Sequence, residues 1–122
     1  MFHTNFKKRE KDVVKDKTML AEIIHPIHHN IDTNIPYSLA FAQLKPEEKS
    51  RPHTLTESTE TYIIIRGKGE ITVDDEKEPV QAGSVIVVPP NSVQYLMNIG
   101  NELLEFFCIV SPPWQKNKDR LL

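Results

Sequence analysis

Short apolar runs alternate with turn-forming residues along most of the chain, and no helical periodicity of useful length is present between residues 20 and 110. Proline, glycine, asparagine and aspartate separate the runs, and these residues end strands and form turns. The pattern predicts an all-β domain, a sandwich or barrel of six to ten antiparallel strands. A short helix is expected only in PPWQKNKDR (112–120), where proline suits a first helical turn. The runs, in chain order, are YSLAFAQL (37–44), TYIIIR (61–66), GEITVDDE (69–76), GSVIVVPP (83–90), SVQYLMN (92–98) and ELLEFFCIV (102–110).

Length, charge and cysteine content limit the function classes. A chain of 122 residues is expected to form one domain, and a formal charge of −2 argues against a broad nucleic-acid surface. No apolar run reaches the roughly 20 residues that cross a bilayer, and charges stand where a signal peptide would be apolar. The single cysteine, Cys108, lies in an apolar strand pattern and is expected to be buried. We therefore expect a soluble cytoplasmic protein without nucleic-acid or membrane partners.

The N-terminal segment differs from the rest of the chain in composition. Residues 6–17 (FKKREKDVVKDK) hold six basic and three acidic side chains. We predict a charged, disordered arm over residues 1–18 and a β-barrel domain over residues 19–122. The alternative is a basic arm that contacts an acidic partner.

Two segments carry recognisable motifs. His53 to Gly67 has the pattern H-x-L-x4-E-x6-G, and Gly83 to Asn98 has the pattern G-x5-P-x-N-x2-Q-x3-N. In this order and spacing they resemble the two motifs of the cupin superfamily, over roughly residues 35–112. The resemblance implies a double-stranded β-helix, a jelly-roll-like barrel, of the small single-domain cupin-2 type. Positive φ angles, which glycine tolerates, are expected at Gly67 and Gly83.

Strand parity predicts which side chains share the interior. His53 and Leu55 are two residues apart on one strand, and Glu60 and Tyr62 are two apart on the next. Gln94 arrives from a later strand. We therefore predict a ligand pocket at a barrel mouth formed by His53, Leu55, Glu60, Tyr62 and Gln94.

The metal-binding part of the motifs is degenerate. The resemblance implies three histidines and one glutamate in metalloenzyme members, with histidine at positions 55 and 94 and glycine at position 91. This sequence has Leu55, Asn91 and Gln94 there instead. Leucine donates nothing to a metal, and a glutamine carbonyl is a weaker ligand than imidazole. His53, Glu60 and Gln94 would hold Fe, Mn, Ni, Cu or Zn with reduced affinity, and a metal-free pocket is an open alternative.

Two functions are compatible with these motifs. In the first, the barrel binds a small organic ligand, with or without a weakly held divalent metal. In the second, which the resemblance implies, the protein is a metal-dependent dioxygenase, isomerase or decarboxylase acting on a small metabolite. Glu60 would then be a metal ligand or general base, and His53 a metal ligand or proton carrier. The sequence does not choose between binding and catalysis.

Features outside the motifs leave further alternatives open. The segment IIHPIHHNID (23–32) contains His25, His28 and His29. These histidines could form a metal-binding cluster, or they could be solvated loop residues. His25 is also a candidate for the pocket. Trp114 could close one end of the barrel or lie at a dimer contact. The run 37–44 is apolar on both faces, which an exposed strand avoids. We therefore predict a homodimer.

Overall fold

The computed structural model describes residues 1–8, 12–13, 18–31 and 34–122, with only the backbone at 12–13. Within these ranges the chain forms eleven strands, and every pairing is antiparallel. The strands are β1 (Asp12–Val13), β2 (Met19–Ile24), β3 (Ser38–Leu44), β4 (His53–Leu55), β5 (Thr59–Arg66), β6 (Lys68–Val73), β7 (Glu76–Gln81), β8 (Val85–Val88), β9 (Gln94–Asn98), β10 (Leu104–Ser111) and β11 (Asp119–Leu121).

Two sheets face each other. The six-stranded sheet has the order β1-β2-β3-β10-β5-β8, and the five-stranded sheet has the order β11-β4-β9-β6-β7. Consecutive strands thus alternate between the sheets in several places, as in a jelly roll. The all-β, jelly-roll-like barrel predicted from the motifs is confirmed.

The core lies between the two sheets. Burial alternates along β10, and along β5 as far as Ile64, so every second side chain of these stretches enters the interior. Cys108 is among the buried side chains, as predicted. The central cluster consists of Ala42, Leu44, Tyr62, Ile64, Ile71, Val80, Val88, Leu96, Leu104, Phe106 and Cys108.

The expected strand number and the expected C-terminal helix are wrong in detail. Two short strands, β1 and β11, bring the count to eleven among the described residues. The tail forms only a single 3-10 turn, Lys116–Lys118, before β11 pairs with β4. β4 pairs with β9 at only one position, and β11 pairs with all three of its residues on the opposite edge.

Three turns of the motif segments contain a residue with positive φ at a motif position. Gly67 and Gly83 have positive φ, as predicted, and a Cβ on Gly67 would lie 2.6 Å from the Leu103 carbonyl oxygen. Asn91 has a φ of 68°, at the position where the motif usually has glycine. Asparagine is among the residues that tolerate this region, so the motif turn is kept without glycine. The Asn91 amide donates to the Leu55 carbonyl at 2.8 Å and thereby joins the second motif to β4.

The predicted N-terminal arm lies partly outside the described residues, at 9–11 and 14–17. Phe6 packs against Phe41 and Phe107, with ring centroids 4.9 Å apart in both cases. Phe41 is consequently buried on the outer face of the six-stranded sheet. Part of the apolar face on which the homodimer prediction rested is thus covered by the same chain. The described residues contain no helix with the length and hydropathy of a membrane span.

Candidate functional site

The five predicted pocket residues lie on the inner faces of three strands. β4 supplies His53 and Leu55, β5 supplies Glu60 and Tyr62, and β9 supplies Gln94. All five side chains are buried. His53 and Gln94 are directly opposite each other in the β4–β9 pair, and the first residues of β5 lie in the facing sheet.

Four of these side chains form a polar network. The Tyr62 hydroxyl donates to the Gln94 carbonyl oxygen, and it lies 3.4 Å from Glu60 Oε1. His53 Nε2 is 3.7 Å from the same Glu60 oxygen. His53 Nδ1 lies 3.3 Å from the Arg51 carbonyl, which can only accept a hydrogen bond. Nδ1 therefore carries a proton. The other ring nitrogen, Nε2, faces Glu60 and is the atom that can gain or lose a proton.

Two polar atoms of the network have no hydrogen-bond partner among the described residues. One is the Gln94 amide nitrogen, since the Tyr62 bond uses the carbonyl oxygen of that side chain. The other is the second carboxylate oxygen of Glu60. Gln94 is only 1% exposed and Glu60 7%. Neither atom is among the fully enclosed side-chain atoms without a partner, so both can be reached by a ligand or by water.

A surface ion pair holds the turn that leads into Glu60. Lys118 Nζ donates to the Glu57 carboxylate at 2.8 Å, and the Thr56 amide donates to the Lys118 carbonyl at 2.7 Å. The hydrogen bond from Lys118, with its positive charge, holds the pKa of Glu57 below its ordinary value. The β4–β5 turn is thereby attached to the C-terminal segment.

The donor set at the predicted metal site fits a divalent ion poorly. Leu55 is buried on the face where the motif usually has its second histidine. The carbonyl oxygen of Gln94, the atom that would bind a metal, already accepts the Tyr62 hydroxyl proton. Only the imidazole of His53 and the carboxylate of Glu60 remain as strong ligands, and two ligands rarely hold a metal tightly.

A second group of possible ligands lies at the end of β2. The ligand atoms of Glu22, His25 and His28 lie within 4.8 Å of one another, which makes them a candidate metal-binding group. Sequence reasoning considered His25, His28 and His29 but missed Glu22, which pairs with His28 Nδ1 at 2.8 Å. Closeness in sequence could have indicated it, because only Ile23 and Ile24 separate Glu22 from His25.

Hydrogen bonds inside this group compete with a metal. His25 Nδ1 accepts from the amides of Ile27 and His28, at 3.2 and 3.3 Å. Its Nε2 lies 2.8 Å from the Trp114 carbonyl, to which it donates. His25 therefore fastens the turn after β2 to the C-terminal segment and does not contact the pocket residues. An ion bound by His25 would have to displace one of these bonds.

Comparison with known proteins agrees with the motifs. The model of the cupin domain family matches residues 40–110. The chain is a cupin. It is 33% identical over 119 residues to the uncharacterized protein MJ1618 of Methanocaldococcus jannaschii, covering 98% of this chain and 93% of that protein. An uncharacterized protein of Aquifex aeolicus is 30% identical over 104 residues, covering 85% of this cupin and 82% of the relative.

Solved structures show the same fold at lower identity. A predicted oxalate decarboxylase of Thermotoga maritima superposes with a TM-score of 0.78 at 18% identity, covering 91% of this cupin and 99% of that chain. Pac13, a nucleoside dehydratase, from Streptomyces, superposes with a TM-score of 0.77 at 17% identity, covering 100% and 91%. These likenesses establish the barrel and leave the reaction open.

Proposed function

We propose that this cupin binds a small organic molecule inside the barrel, between His53, Glu60, Tyr62 and Gln94. The observation that carries the proposal is the buried network of these four side chains, in which the Gln94 amide nitrogen and one Glu60 oxygen make no hydrogen bond to the described residues. A ligand that offers one acceptor and one donor, as a hydroxyl or an amide does, would pair with both atoms. Leu55 supplies an apolar wall.

A bound metal is not required for this function. The donor set favours an organic ligand, because only His53 and Glu60 are strong metal ligands at the pocket. The alternative is a weakly held divalent ion, bound either in the pocket or by Glu22, His25 and His28. We also propose that the protein acts in the cytoplasm, where a lone buried thiol such as Cys108 stays reduced.

Acid–base catalysis is a second candidate, and the His53–Glu60 pair favours it. The two groups lie 3.7 Å apart in a buried site, so either can hold a proton that a bound substrate receives or supplies. Tyr62 would orient the substrate through its hydroxyl. Solved cupin neighbours described as a nucleoside dehydratase and a predicted oxalate decarboxylase support chemistry on small molecules in such a barrel.

A fragment screen read by NMR tests the proposed pocket. Compounds that bind there are expected to shift the side-chain amide signal of Gln94, and Tyr62→Phe should weaken them about tenfold, since the Gln94 amide loses its anchor. Tyr95→Phe, on the opposite face of β9, is the matched control and should leave their affinity unchanged. Compounds that shift only other signals, or whose affinity is the same for the wild type and Tyr62→Phe, would contradict the proposal. Incubating confirmed binders with the protein and analysing them by mass spectrometry separates binding from turnover.

We further propose that the protein is a homodimer. β8 is an edge of the six-stranded sheet, and Val85 and Val87 are each 62% exposed on its outer face. An exposed edge strand with β-branched residues can pair with the same strand of a second copy about a two-fold axis.

Light scattering checks the dimer. The wild type is expected at twice the 14.1 kDa of one chain, and the double variant Val85→Lys/Val87→Lys at one chain mass, because two charges on the edge prevent pairing. A double variant with lysine at the exposed positions Glu47 and Asn101 is the control, and its mass should equal that of the wild type. A wild type that elutes with the mass of one chain would reject the proposal.

A further inference from the structure

Two imidazoles and a carboxylate lie where β2 ends, apart from the barrel pocket. Glu22 is on β2, and His25 and His28 follow that strand. Their ligand atoms lie within 4.8 Å of one another, and no other three histidine, cysteine or acidic side chains in the described part of the chain meet this limit. We call Glu22, His25 and His28 the β2-end cluster. Two imidazoles and one carboxylate are a donor set that holds zinc when water supplies the fourth ligand.

His25 has the tautomer that a metal requires. Its Nε2 lies 2.8 Å from the Trp114 carbonyl oxygen, which can only accept a hydrogen bond. The proton is therefore on Nε2, and Nδ1 carries a lone pair. Metal-binding histidines usually donate their other ring N–H in this way, to a carbonyl or carboxylate that fixes the orientation of the ring. His25 is almost fully buried, so water does not compete for the bond to Trp114.

Two main-chain amides share the lone pair of His25 Nδ1. The amides of Ile27 and His28 donate to it at 3.2 and 3.3 Å, at the long end of the range for such bonds. Both residues are exposed, so water can become the partner of their amides. A bond from Nδ1 to a dication therefore replaces two weak hydrogen bonds whose loss water offsets in part.

Glu22 and His28 complete the donor set from the solvent side. His28 Nδ1 is 2.8 Å from Glu22 Oε1, and the two side chains are 47% and 26% exposed, respectively. The His28 ring stacks on the His25 ring, with centroids 3.7 Å apart and planes 9° from parallel. The lone pairs of stacked rings point in parallel directions, so His28 must turn out of the stack to reach an ion at His25 Nδ1. Its half-exposed position allows this rotation.

A further histidine supports the carboxylate. His29 Nδ1 accepts the His25 amide at 3.1 Å, so the proton of the neutral His29 ring is on Nε2. That nitrogen faces Glu22 Oε1 at 3.9 Å. A ring N–H directed at a carboxylate ligand is a common outer partner of metal sites, where it orients the ligand.

We infer that the β2-end cluster binds one Zn²⁺ ion through Glu22, His25 Nδ1 and His28. The ion joins β2 to the turn after it and, through the Nε2 bond of His25, to the C-terminal segment at Trp114. This site goes beyond the proposed function, because the pocket residues lie on β4, β5 and β9.

Isothermal titration calorimetry with Zn²⁺, on protein first stripped of metal, tests the inference. The wild type is expected to bind one ion per chain. His28→Ala and Glu22→Gln each remove one of three ligands and should weaken binding at least about tenfold. Both side chains are partly exposed, so the variants are expected to fold. His3→Ala, at an exposed histidine outside the cluster, is the matched control and should bind like the wild type.

Paramagnetic Co²⁺ locates the bound ion, since imidazole and carboxylate ligands that hold Zn²⁺ also hold Co²⁺. Its unpaired electrons broaden the NMR signals of nearby nuclei. Co²⁺ is expected to broaden the amide signals of residues 22–29 at concentrations that leave the Gln94 side-chain amide sharp.

The results distinguish the β2-end cluster from the barrel pocket. Zn²⁺ binding that is weakened in His28→Ala and Glu22→Gln, and unchanged in His3→Ala, supports the inference. Equal affinity in the wild type and His28→Ala, or heats no larger than those of dilution, would overturn it. Binding that is lost in His53→Ala, or Co²⁺ that broadens Gln94 first, would place the ion in the barrel and also overturn it. The proposed function is tested separately by fragments that shift the Gln94 amide, so it stands or fails independently of zinc.

Discussion

Leu55→His is expected to raise the affinity of the barrel for Zn²⁺ or Ni²⁺ on the order of a hundredfold. Leu55 is buried on the inner face of β4, two residues from His53. The substitution would add a second imidazole on the same face, so that this new imidazole, His53 and Glu60 surround one point. Three strong ligands then replace two, and imidazole binds these ions better than a glutamine carbonyl does. Competition with a chromogenic chelator, on protein first stripped of metal, measures the change.

Two variants control for this gain. Thr54→His adds an imidazole to the same strand on the opposite face and should gain little. Leu55→His combined with His53→Ala should lose most of the increase, because only one imidazole remains at the site. A Leu55→His protein that binds metal no better than the wild type would show that the site does not correspond to the metal site of other cupins.

His25→Ala is expected to lower the free energy of unfolding by about 4 kcal/mol. The substitution removes the partner of the Ile27 and His28 amides and of the Trp114 carbonyl, inside a region where His25 itself is 1% exposed. Ile27 and His28 are exposed, so water can replace part of their loss. A polar group such as the Trp114 carbonyl left without a partner costs about 1–3 kcal/mol, and truncating a fully buried side chain adds a cavity term of a few kcal/mol. That loss is a large share of the total stability of a small domain. Urea unfolding followed by circular dichroism measures it.

Two further substitutions separate the roles of His25. His28→Ala removes a half-exposed side chain paired with Glu22 and should cost less than about 1 kcal/mol. His25→Asn retains an acceptor for amides two and three residues later, as in asparagine turns, and should recover part of the loss without reaching Trp114. Equal destabilisation by His25→Ala and His28→Ala would contradict the account of His25 as the fastening residue.

The fold followed from the sequence because two kinds of local signal agreed. Alternation along β5 and β10 set which side chains are buried, and the glycines of the motifs fell at the turns that need positive φ. The C-terminal strand was missed because DRL has no apolar alternation. The segment becomes a strand by pairing with the backbone of β4, which its side-chain pattern does not indicate.

The site was only partly accessible to sequence reasoning. Parity indicates that Glu60 and Tyr62 share a face, but it does not indicate that the Tyr62 hydroxyl donates to Gln94 across the barrel. Contacts between distant strands depend on the sheet order, which no single segment encodes.

The pairing of β4 with β11 has a consequence for the order in which the protein is assembled. The strand that carries His53 and Leu55 obtains its outer neighbour from residues 119–121, more than sixty positions later in the chain. Such distant contacts close large loops and form late in folding. During refolding the sheets can form around β5, β6 and β10 while β4 still lacks this partner. The pocket is then completed only when β11 pairs with β4, so a variant without residues 119–121 would keep much of the core and lack the finished site.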